Sequence, residues 1–249
     1  MDSHWGAAPA PDPLLPCGAW RARRAHRPHG SAATITPVGP VTEAEIRALV
    51  RAEIVSLGPN LAVDEFVVSE SARIDLAVIA EDLWGYEFKS DLDTLTRLPR
   101  QMQAYGRVFD RCTLVVTDRH VKRARELLRP GWGLGVVRRG EDGTLRYRQV
   151  RAPRQIRSVE KAALAQLLRR VEILDALEAR SLAVGHRSKP KHLLEERLAD
   201  SVDLNELRRI VVSALTARQG WRDGRAPRGY GERSPRGGAS SRFLARRLR

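Results

Sequence analysis

Cysteine is almost missing from this sequence. Of 249 residues only Cys17 and Cys112 carry a thiol, too few and too far apart for a disulfide framework or a zinc-ligand cluster. A reducing cytoplasm is the expected setting. Long apolar runs are missing as well: no stretch approaches the roughly 20 residues that cross a bilayer. The segment MDSHWGAAPAPDP lacks the short apolar core of a secretory signal, so a soluble, non-exported protein is expected. Lysine is scarce: only Lys89, Lys122, Lys161, Lys189 and Lys191 stand among 44 basic residues. No internal repeat is visible.

What the chain has instead is arginine. A formal net charge of +14 and a pI near 10.9 make a polyanion the natural partner, because each phosphate neutralised by a basic side chain releases condensed counterions. Nucleic acid, DNA first, is favoured over an anionic membrane surface. A coding bias toward arginine would raise the pI with no ligand at all, so charge favours a polyanionic partner without assigning one.

Residues 1–40 and 223–249 are rich in Pro, Gly, Ala and Arg without a 2.0 or 3.6 period and read as disordered basic arms. Between them an α/β core is expected over 41–152. Thr42 caps a helix whose Ile46, Leu49, Val50, Ile54 and Leu57 share one face, with Gly58-Pro59-Asn60 as its stop. EFVVS, RIDLAVIA and LWGYEFKS then read as three antiparallel strands. Asp93 or Thr94 opens the next helix, with Leu98, Met102, Tyr105 and Phe109 facing the core. CTLVVTD is a buried strand, HVKRARELL a short helix, and GLGVVRRGEDGTLRYRQV a hairpin turning at Glu141-Asp142-Gly143. Residues 153–222 read as an all-helical extension. It comprises one long helix over SVEKAALAQLLRRVEILDALEAR, a second capped by Ser188, and a third opened by an Asp203 to Glu206 capping-box spacing.

One lysine sits where chemistry asks for it. Residues i and i+2 of a strand face the same way, so Glu87 and Lys89 project together, with the Phe88 carbonyl directed elsewhere as a further oxygen ligand. Asp75, early in the preceding strand, falls at the same end of the sheet. Hydrolysis of a phosphodiester uses a divalent cation, Mg²⁺ or Mn²⁺, held by one or two carboxylates. A compact ammonium beside it orients water and meets the developing charge, a role to which arginine is poorly suited. With 30 acidic residues and five lysines the letters alone arise by chance; the strand context gives them meaning.

Asp75 with Glu87-Phe88-Lys89 across a hairpin resembles the PD-(D/E)xK nuclease superfamily, whose core runs helix, three strands, helix, strand. QMQAY (Gln101 to Tyr105) resembles the Q-x-x-x-Y element of its RecB-like branches, and residues 42–222 are similar to a poorly characterised bacterial branch of restriction-endonuclease-like proteins. The resemblance implies a metal-dependent nuclease with a restriction-endonuclease-like fold. Asp75 and Glu87 would be metal ligands, Lys89 the catalytic lysine, and Gln101 and Tyr105 would border the site. Ile74 stands where the superfamily's name has proline. The superfamily often adds an upstream acid; Glu65 is favoured here, with Glu53 and Glu45 as competitors. The rival reading is a nucleic-acid-binding module of the same fold that does not cut.

Other polar residues have plainer roles. Asp93 is expected to cap a helix rather than bind metal with Asp91, His120 to serve helix entry or the surface, and Cys112 to be a small buried hydrophobe. In GHRSKPK, Arg187, Lys189 and Lys191 cluster at a helix start and are a candidate phosphate contact.

Overall fold

The computed structural model describes residues 39–56 and 60–218. The basic arms, apart from residues 39 and 40, and the Gly58-Pro59 stop lie outside the described residues. Helix α1 (Glu43–Val55) begins as its sequence dictates. The Thr42 hydroxyl accepts from the Glu45 N–H while the Glu45 carboxylate accepts from the Thr42 N–H, a reciprocal cap worth about 1 kcal/mol. Six strands follow in one sheet, in chain order: β1 (Leu61–Ser69), β2 (Ala72–Ile79), β3 (Leu83–Lys89), β4 (Arg111–Thr117), β5 (Gly133–Arg139) and β6 (Leu145–Arg151). The pairings β1/β2, β2/β3 and β5/β6 are antiparallel, whereas β4 lies parallel to both β3 and β5. Crossovers through α2 (Leu98–Tyr105) and α3 (Val121–Leu127), the latter entered by a 3₁₀ turn at Asp118–His120, make those parallel steps possible.

The sheet is covered on both faces. Ile46, Val50 and Ile54 of α1 pack on one with Leu76, Val78, Phe88, Val115 and Val137. Leu98, Met102 and Tyr105 of α2 pack on the other with Ile74, Leu114, Val116 and Val136. Strand β4 is buried along its whole length, with Cys112 and Leu114 to Val116 supplying the apolar core expected of a strand covered twice and Arg111, Thr113 and Thr117 buried beside them. Gly85 permits a close approach in β3: a Cβ there would stand 2.5 Å from Ile74 Cδ1 and 3.1 Å from the Phe109 ring.

The helical extension comprises α4 (Lys161–Gln166), α5 (Arg170–Glu178), α6 (Lys191–Ser201) and α7 (Leu204–Ala217). Its Leu164, Leu198, Leu207 and Leu215 join the same core as α2 and the sheet. The long helix expected from Ser158 is corrected to two, α4 and α5. The Glu172 carboxylate accepts from the Arg169 N–H at 2.6 Å and is gripped by Arg218, 46 positions on, so a new helix starts where no Gly or Pro announces a break. Ser188 does not cap α6; Pro190 holds that position without a side-chain bond. Asp203 does cap α7, accepting from the Glu206 N–H at 2.8 Å. Helix α2 starts at Leu98 rather than at Asp93 or Thr94, because Asp93 closes a turn on the Ser90 N–H and hydroxyl. Among the described residues no helix is long and apolar enough to cross a membrane.

Candidate active site

The site forms where β2 parts from β3. Their ladder runs from Ile79↔Leu83 to Leu76↔Tyr86 and goes no further. One residue beyond, the Asp75 Oδ2 accepts from the Phe88 N–H at 2.6 Å, so a side chain takes over a backbone donor that the ladder has released. On the other side of β2, Glu65 of β1 stands opposite Asp75 with φ of 52°. The register is the same before and after it, Asp64↔Leu76 and Phe66↔Ile74, so this is a kink without an inserted residue. A non-glycine residue in that region costs about 1–3 kcal/mol, and such strain collects at functional sites. Its local effect is specific: the neighbours Asp64 and Glu65, which would face opposite ways in a regular strand, both reach Arg47 of α1.

Two clusters meet at this fork. On the α2 side the Glu87 side chain is 1 % exposed and its Oε1 accepts from Lys89 Nζ at 2.6 Å and from Gln101 Nε2 at 2.5 Å. The Tyr105 hydroxyl lies 3.1 Å from Glu87 Oε2 and donates to the Arg73 carbonyl at 2.6 Å. Burial pushes the Glu87 carboxyl above its usual range against the pull of Lys89, Tyr105 and Gln101, and burial likewise raises the Tyr105 phenol. Gln101 directs its amide nitrogen at Glu87, leaving its Oε1 buried without a partner, an acceptor pre-positioned for an additional donor.

On the α1 side, carboxylate oxygens of Glu43, Glu65 and Asp75 lie within 4.8 Å of one another, each residue half-buried. Glu65 also pairs with Arg73 at 2.7 Å. Burial, then the nearby Glu87 charge, pushes the Asp75 carboxyl up to about 7. Raised above its ordinary value, it favours the folded state below about pH 4, and that contribution is lost as pH rises through 7. In metal-free buffer, Asp75→Asn should therefore gain on the wild type by about 2–4 kcal/mol between pH 4.5 and 7.5, read by urea unfolding. A difference that is flat or of opposite sign across that window would refute this account of Asp75.

The structure thus brings together Asp75, Glu87, Lys89, Gln101, Tyr105 and Glu65. The Phe88 contact it contains is the N–H on Asp75. Glu43 was missed by sequence reasoning; its signal is its place at the start of α1, one turn before Arg47, which it meets in an i,i+4 ion pair. The two competitors are placed elsewhere. Glu45 is held by Arg139 at 2.8 Å and by its capping box, which lower its carboxyl to about 2, and Glu53 is exposed. Asp91 accepts from the Val41 N–H at 2.8 Å. His120 is buried with Nε2 2.9 Å from the Ser90 carbonyl, which rules out a surface role, and Cys112 is a core residue. Arg187 and Lys191 pair with Glu178 and Glu195, and the carbonyls of Arg187 and Lys189 accept from Arg170. None of these contacts is with either cluster.

Comparison with known proteins gives three findings. The model of the family described as Bacteriophage P4 protein cII matches residues 42–223. Protein cII of Enterobacteria phage P4 is 26% identical over 158 residues, covering 63% of this chain and 58% of its own length; the match thus spans little more than half of that relative. A solved protein of unknown function from Silicibacter pomeroyi is 20% identical, with a TM-score of 0.36 over 64% of this chain and 100% of its own.

Proposed function

The chain belongs to the family described as Bacteriophage P4 protein cII, and for this member we propose a metal-dependent nuclease of the PD-(D/E)xK type that hydrolyses phosphodiester bonds in DNA. The observation that carries the reading is the convergence of Lys89, Gln101 and Tyr105 on the buried Glu87 beside Asp75. The order α1, antiparallel β1–β2–β3, α2 and parallel β4 is the one expected of a restriction-endonuclease-like core, and supports it.

The donor set fits Mg²⁺ or Mn²⁺. It is all oxygen, anionic and half open to solvent, as hard cations require. Asp75 would hold the ion together with Glu65 and Glu43. Glu87 would join through an oxygen shared with Lys89, Gln101 or Tyr105. The bound cation would supply a Lewis acid and an acidified water. Lys89 ends β3 with its ammonium on Glu87, and with two further N–H donors it can hold a water or a phosphate oxygen. Gln101 and Tyr105 keep Glu87 in place and exclude water from it. The net charge of +14 supplies a salt-sensitive attraction to the DNA backbone.

A specific observation favours the second reading, a DNA-binding module without cleavage: Arg47 already neutralises Glu43 and Glu65. The two are separated by incubating the protein and its Asp75→Ala variant with plasmid and single-stranded DNA in Mg²⁺, Mn²⁺ or EDTA. Cleavage that needs metal and disappears in the variant is the expected result. Salt-sensitive binding with no cutting in any metal would replace the nuclease by the binding module.

A further inference from the structure

The guanidinium of Arg47 is placed as a cation would be. Its Nη2 donates to Glu43 Oε1 and to Glu65 Oε1, the latter at 2.5 Å. Its Nη1 donates to the Asp75 carbonyl at 2.5 Å and reaches Asp64 Oδ1 at 3.4 Å. The side chain is 18% exposed and lies over the Phe88 ring, 5.7 Å from its centre. Two of the three carboxylates gathered at the fork are therefore bound to one internal positive charge that contacts the backbone of the third. α1 delivers that charge by helix spacing, since Arg47 stands one turn after Glu43 on the same face, and the left-handed backbone at Glu65 brings the strand carboxylate to meet it.

A divalent ion and the guanidinium compete for these carboxylates: both are cations drawn to the same charges, and held side by side they repel strongly. Resting on the reading that a cation binds at Asp75, we propose that Arg47 is a resident counter-cation of this site, which a divalent metal must displace from Glu43 and Glu65 in order to bind. Arg47 thereby sets the metal concentration at which the site fills. It also keeps three neighbouring carboxylates compatible with a folded chain when metal is scarce. The displaced side chain has an alternative partner within the structure: Asp64, which it already approaches and which Arg51 holds at 2.9 Å.

The test titrates the full chain with Mn²⁺ alone and reads free ion by electron paramagnetic resonance. Arg47→Met keeps an unbranched apolar stem and removes the charge; it should bind Mn²⁺ about tenfold tighter or more, and the gain should vanish when Asp75→Asn is added. Arg47→Lys keeps a charge but lacks the planar fork that holds several acceptors at once, so its affinity should fall between the two. If Arg47→Met does not fold, Arg47→Lys decides by the same sign, together with a larger Mn²⁺-induced rise in its unfolding midpoint than in the wild type. Equal or weaker binding by these variants, while wild type binds and Asp75→Asn does not, overturns the inference and leaves the nuclease reading standing. Absence of Mn²⁺ binding in every protein removes both.

Discussion

Lys89→Ala should lower the rate of metal-dependent DNA cleavage by about 10²–10³-fold, the usual loss when one donor to a developing oxyanion is removed. The loss belongs to chemistry rather than folding. Without the ammonium, Glu87 stays buried among Gln101 and Tyr105, and a carboxyl that burial already pushes upward takes up a proton in place of its counterion. Circular dichroism and urea unfolding should therefore show a folded protein. Lys89→Arg is the sharper variant: it preserves the positive charge but brings a planar, bulky head into a place where the Nζ fits at 2.6 Å from Glu87 and the side chain is 11% exposed. It should not restore the rate. Cleavage by Lys89→Arg at the wild-type rate would mean that the position needs only a charge, and would remove the reason for a lysine in an arginine-dominated chain.

Much of the framework is legible because it is local. Thr42 and Glu45 lie three residues apart and cap α1 as their spacing says. The three-strand meander and the β5–β6 hairpin are joined by short turns, and Gly143 takes the positive φ that its turn requires. Glu87, Lys89, Gln101 and Tyr105 are readable for the same reason, since strand and helix periods alone put each pair on one face. What stayed hidden depends on contacts distant in sequence. The break between α4 and α5 is set by Arg218 acting on Glu172, and the late start of α2 by Asp93 turning back on Ser90. The gathering of Glu43 with Glu65 depends on a left-handed backbone at a glutamate, which no composition rule announces because the residue is not glycine. Arg47, which lies outside the apolar face of α1, becomes the central cation once that kink is known.

Arg208→Met should cost the fold about 3–5 kcal/mol, the range for removing one partner of a buried ion pair. Its Nη2 lies 2.6 Å from Asp110 Oδ1, with the two side chains 14% and 1% exposed. Asp110 is fixed in turn: its Oδ2 accepts from the Leu83 N–H at 3.0 Å, its own N–H donates to the Leu83 carbonyl at 2.9 Å, and its carbonyl accepts from Ile156 at 2.8 Å. Without Arg208 that carboxylate keeps only the distant Gln155 amide, at 3.4 Å, on its other oxygen. Adding Asp110→Asn should recover a good part of the loss, because a neutral amide still accepts from Leu83 and leaves no buried charge; the two losses should be far from additive. Additive losses would show that Arg208 acts through packing of α7 rather than through Asp110. Leu83 opens the strand that Lys89 ends, so the clamp and Lys89 sit at opposite ends of β3, about 20 Å apart at the rise of an extended chain. At that separation the clamp should govern how firmly the helical extension holds the sheet while leaving cleavage per folded molecule unchanged. A cleavage defect in Arg208→Met under conditions where it is fully folded would instead make the extension part of the catalytic apparatus, with β3 as the element that couples them.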